Sequence, residues 1–113
     1  MSERADQDSV ADSKEAILRI IAYTEDISYE HFLEDKKTQD AVVRNLEIVG
    51  EAAKNISREL KDENPQIPWK DLAGVRDKLI HHYFGVNFDI VWSIVKEELP
   101  EVLAQLEEIF KIK

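Results

Sequence analysis

TQDAVVRNLEIVGEAAKNISRELK, residues 38–61, carries the pattern that sets the fold class. Val42, Leu46, Val49, Ala53, Ile56 and Leu60 step by three and four, laying one apolar stripe along about six turns of helix. Thr38 suits the N-cap, with Gln39 and Asp40 in the first turn. Asp62-Glu63-Asn64-Pro65 ends the run, because the residue before a proline is pushed out of the helical region. Gly50 lies inside this helix, where it costs about 1 kcal/mol against alanine. Its place there implies close approach of a neighbouring helix, or room for a ligand or a second subunit.

Outward from this helix the same period returns. Ile17, Ile20, Ile21, Thr24 and Ile27 share one face over 13–28, with Ser9 or Asp12 as cap. Residues 1–11 read as a polar, loose arm ahead of it, and 29–37 as a polar connection. On the other side, PQIPWKDLAG (65–74) reads as a proline-bounded loop with one helical turn from Pro68. Gly74 separates it from a short helix predicted over 75–84, and Gly85-Val86-Asn87 breaks the pattern. Asn87 then caps a helix over 88–99 whose buried side is Phe88, Val91, Trp92 and Val95. Pro100 suits the first turn of a last helix carrying Val102, Leu103, Leu106, Ile109 and Phe110. Trp69 and Trp92 are expected as core or interface anchors. No stretch alternates as a strand would. The expectation is one all-α domain over residues 1–113, a bundle of four to five helices.

Composition narrows the chemistry. The absence of cysteine excludes disulfides, a thiolate nucleophile and sulfur-ligated zinc. A net charge of −9 argues against a protein that coats nucleic acid through bulk electrostatics. Only residues 66–88 are net positive, and two of the three histidines lie there. The acidic amino terminus is unlike a signal peptide, and no apolar run approaches the ~18–20 residues needed to span a bilayer. A cytoplasmic location without membrane contact is expected.

Within the positive stretch stands Arg76-Asp77-Lys78-Leu79-Ile80-His81-His82-Tyr83. Arg76 offers a permanently charged fork suited to phosphate, and a histidine can move a proton near neutral pH. Asp77 lies one turn before His81, placed to orient its ring, and Tyr83 adds a hydroxyl. Such a set can cleave RNA without a metal, using the ribose 2′-OH as internal nucleophile. On a regular helix Arg76 and His81 sit roughly 140° apart, so either the arginine arm curls round or a second copy completes the site. The same residues also read as structure: an Arg76–Asp77 ion pair at a helix start, partly buried histidines and a core tyrosine. Adjacent His81 and His82 point about 100° apart, which makes a shared metal awkward. No metal site is expected.

Arg76-x4-His81-x-Tyr83 resembles the R-x4-H-x-Y motif of HEPN-domain ribonucleases, specifically the HepT-like toxins of prokaryotic toxin–antitoxin pairs. The likeness extends through VRNLEIVGEAAKNIS (43–57), NPQIPWKDLAGVRDKLIHHYFGVNFDIVW (64–92) and EELP (97–100). The resemblance implies a HEPN-type bundle, a homodimer with a composite cleft, and metal-independent cleavage of cellular RNA, tRNA favoured. Arg76 and His81 carry over as the catalytic pair, with Asp77 and Tyr83 in support. Arg44, Asn45 and His82 are assigned to the cleft lining. Such toxins are encoded beside a minimal nucleotidyltransferase antitoxin that adenylylates the motif tyrosine, here Tyr83. No cofactor is implied, and AMP enters only as that covalent group, set beside Arg76 and His81 to block phosphate by charge and volume. Asp77 departs from the asparagine many members carry after the arginine. The alternative reading is a non-catalytic HEPN subunit that presents substrate to a nucleotidyltransferase.

Overall fold

The helix read from residues 38–61 begins earlier and ends sooner than its stripe suggests, and hydrogen bonds at both ends explain why. The structure, a computed structural model, describes residues 3–81 and 85–110. Its central element, α3 (Lys36–Asn55), is capped by Asp35, whose carboxylate accepts from the Thr38 N–H at 3.1 Å and the Thr38 hydroxyl at 2.6 Å. Thr38 is therefore the capped residue, not the cap. At the other end Ile56 turns extended, and Ser57 starts a new helix, α4 (Arg58–Glu63), by accepting from the Leu60 N–H. The expected single helix is two. The break costs little burial, since Val42, Leu46, Val49, Ala53, Ile56 and Leu60 are all inside.

What holds the break open comes from the far end of the chain. α1 (Glu3–Thr24) starts well ahead of the predicted residue 13, and its first turns are anchored rather than loose. The Asp6 carboxylate, itself buried, accepts from the Ser57 N–H at 2.8 Å and the Ser57 hydroxyl at 2.6 Å. That contact sets the start of α1 beside the end of α3, so the two helices run antiparallel. Val10, Ile17 and Ile20 seal the interface between them. The expected polar connection holds a third helix, α2 (Tyr29–Glu34), capped by Ser28. Phe32 is fully buried, and the Gln39 amide donates to the Phe32 and Leu33 carbonyls. One anchor in six residues leaves no period to read.

Beyond α4 the chain forms α5 (Trp69–Ala73) and α6 (Val75–Leu79), both lying on α3. A Cβ on Gly50 would stand 3.1 Å from the Leu72 carbonyl oxygen and 3.2 Å from Val75 Cγ1. Gly50 thus marks a close approach between α3 and this pair, the first of the two expected reasons. Asn87 caps α7 (Phe88–Ser93) as predicted, accepting from the Asp89 and Ile90 N–H groups. A π-helical turn, Ile94–Glu98, runs straight into α8 (Leu99–Glu108), so 88–108 is one rod with Pro100 in the first turn of α8. Lys96 ties this rod to α1 by donating to the Thr24 carbonyl at 2.8 Å, and it also lies over the Trp92 ring. Trp92 packs on Tyr29 and Phe32, and Trp69 is buried with its indole N–H on the Asn64 carbonyl. Phe110, expected in the core, is 39% exposed at a positive φ. Counting the rod once, the described residues hold seven helices, three of them long, rather than four to five. None of them is long and apolar enough to cross a membrane.

Candidate functional site

The motif segment does not form the helix predicted over 75–84. α6 stops at Leu79, and Ile80–His81 pairs antiparallel with Gly85–Val86, His81 opposite Gly85. The Leu79 carbonyl, which a continuing helix would offer to residue 83, instead accepts from the Asn87 N–H at 2.8 Å. Gly85 adopts φ 79°, a left-handed conformation that glycine takes without strain. The sequence Ile80-His81-His82-Tyr83-Phe84 favours this exit, being β-branched, imidazole and aromatic, all weaker helix formers than alanine or leucine. Arg76 and His81 therefore lie on different elements, and the 140° separation on one helix does not apply. His82 and Tyr83 lie outside the described residues.

Arg76 faces α3. Its guanidinium Nε stands 3.3 Å from a Glu47 carboxylate oxygen, with 67% of the arginine side chain exposed. The Arg76–Asp77 ion pair of the purely structural reading is not formed; Asp77 is exposed. Around Arg76 opens a depression of about 390 Å³ lined by Arg44, Glu47, Gly50, Glu51 and Lys54. A second depression continues from it along α3 towards Ser9 and Asp12 of α1 and shares Arg44, Glu47 and Glu51. The Gly50 contact brings α6 close to α3, and that closeness lets the one-turn helix share a pocket with the long one.

Arg44 lines the same depression as Arg76. Asn45 is elsewhere: it is buried, donates to the Ala41 carbonyl, and lines a separate hollow with Asp12, Glu15 and Arg19. Adjacent positions on a helix diverge by about 100°, which separates the two. Glu47, Glu51 and Lys54 were not anticipated. The sequence did hold a signal for them: Arg44-x2-Glu47-x3-Glu51-x2-Lys54 is a charged stripe at helical spacing, on the side of α3 away from its apolar stripe. Three cations and two carboxylates meet there, an arrangement suited to an anion that engages the arginine.

Comparison with known proteins agrees with this chemistry. Residues 13–109 match the family described as "Ribonuclease HepT-like". The chain is 48% identical over 109 residues to "Probable ribonuclease HepT" of Thermococcus cleftensis, covering 96% of this chain and 99% of that protein. It is 51% identical over 92 residues to "Putative RNase MJ0127" of Methanocaldococcus jannaschii, covering 81% and 76%. A relative from Caldanaerobacter subterraneus, "Putative RNase TTE0752", is 46% identical over 92 residues, covering 81% and 82%. No solved structure matches significantly.

Proposed function

The chain belongs to the HepT-like ribonuclease family, and from that premise we propose that it is a metal-independent endoribonuclease, the toxin of a toxin–antitoxin pair. The observation that supports this most directly is Arg76: a largely exposed guanidinium in a charged depression, just ahead of the short strand pair that carries His81. In the proposed reaction a base takes the proton from the ribose 2′-OH, and the 2′-oxygen attacks the adjacent phosphorus. The bond from phosphorus to the 5′-oxygen breaks, and an acid protonates that leaving oxygen. The products are a 2′,3′-cyclic phosphate and a 5′-hydroxyl. His81 supplies proton transfer, while Arg76 steadies the charge on the phosphoryl oxygens. One imidazole cannot be acid and base at once, so a homodimer that sets two His81 side chains about one cleft supplies the second group.

Control falls to Tyr83. A cognate nucleotidyltransferase transfers AMP from ATP to its hydroxyl, releasing pyrophosphate. The added phosphodiester and nucleoside then occupy the arginine and fill the space an RNA phosphate needs. A structured RNA such as tRNA is the favoured substrate, because a chain of net charge −9 disfavours indiscriminate binding of long polyanions.

The test is end-labelled total tRNA incubated with purified protein in EDTA, with mass spectrometry confirming an unmodified Tyr83. Discrete fragments from the wild type, and none from a folded His81→Ala variant, are expected. An unmodified wild type that leaves tRNA and other cellular RNAs intact would shift the assignment to a non-catalytic subunit that presents substrate to the nucleotidyltransferase.

A further inference from the structure

We infer that Glu47 is a positioning residue for Arg76, fixing the guanidinium so that its terminal edge meets the scissile phosphate. This rests on the ribonuclease reading of Arg76. The two residues come from elements of unequal length. Arg76 sits on a five-residue helix that ends three residues later, with most of its side chain in solvent. Glu47 sits in the middle of the 20-residue α3, between Leu46, fully buried, and Ile48, partly buried. The Gly50 approach then holds the two backbones at a set spacing. A carboxylate on the long helix therefore restrains an exposed arm carried by the short one.

The side of the contact matters. Glu47 meets Arg76 at Nε, 3.3 Å away, and Arg76 has no other ion-pair or hydrogen-bond partner among the described residues. A guanidinium presents two edges that can grip a pair of oxygens, one through Nε and one through the two terminal nitrogens. With the carboxylate on the Nε side, the terminal edge is the one left for a phosphoryl group. Charge alone would make Glu47 a liability, since a carboxylate beside a phosphate-binding arginine repels RNA. Its benefit must lie in orientation, which acts on the transition state more than on ground-state binding.

An orienting role carries a kinetic signature. Against a labelled tRNA that the wild type cleaves, Glu47→Ala should lower kcat about tenfold or more while KM stays level or falls. Glu47→Gln keeps an accepting oxygen at the same reach and should recover most of the lost kcat. A Glu47→Ala enzyme with unchanged kcat, or with raised KM and intact kcat, would overturn the inference. So would a Glu47→Gln enzyme as slow as the alanine variant, which would mark Glu47 as a proton-transfer group. Melting temperatures of both variants report folding, and the glutamine variant carries the test if alanine is destabilising. A wild type silent on RNA would instead sink the ribonuclease reading, a separate outcome.

Discussion

Asp35 shows how much a single carboxylate organises here. The Thr38 hydroxyl, and after it the Thr38 N–H, hold its carboxyl below the ordinary carboxylate range, with smaller help from His31 and Lys37 against a small opposing effect of desolvation. A carboxyl whose folded pKa is depressed stabilises the fold above its unfolded pKa, and that contribution fades as pH drops through the folded value. Asp35→Ala should thus lower Tm at pH 7, and the gap to wild type should close as pH falls below the usual carboxylate range. Thermal melts across acidic pH check this. At the site, Arg76→Ala should reduce RNA cleavage by a hundredfold or more with Tm close to wild type, because its exposed side chain contributes little to packing. A single-turnover assay on folded variant reads that loss.

Individual helices depend on contacts that neither partner's local sequence announces. Ser57 starts α4 while its N–H and hydroxyl are bound by Asp6, from the opposite end of the chain. Asp6→Ala would leave a partly buried donor pair without its acceptor, and about 1–3 kcal/mol of stability should be lost, read by urea unfolding. Gly50 supplies the other test. Alanine would gain helix propensity of about 1 kcal/mol, yet its Cβ would press on a backbone carbonyl and on buried Val75. The carbonyl belongs to the backbone and Val75 is buried, so Gly50→Ala should lower Tm. It should also reduce activity, since α6 carries Arg76 immediately after Val75.

For the molecule as a whole, the proposed composite cleft makes a prediction that one chain cannot satisfy. Excess His81→Ala subunits, mixed with the wild type and allowed to exchange, should suppress its cleavage rate, because the mixed dimer keeps both arginines but only one of the two imidazoles. An undiminished rate per wild-type chain, with mixed dimers verified by native mass spectrometry, would mean that each chain cleaves RNA on its own. Cleavage should also weaken as salt rises, through screening and counterion competition at Arg44, Lys54 and Arg76.

The sequence by itself determined the helical class, the buried stripes and the motif. Period is a local property, and each of Val42, Leu46, Val49, Ala53, Ile56 and Leu60 is buried as its spacing implies. Asn87 and Pro100 also act locally and took their predicted places. Tertiary structure decided where elements stop. The split at Ile56–Ser57 needs Asp6, the end of α6 at Leu79 needs the Asn87 N–H, and α2 rests on Phe32 reaching a core built by other helices. It also chose the partner of Arg76. Asp77 is adjacent in sequence, but Glu47 is adjacent in space, because a glycine let two helices approach closely enough for an ion pair to form.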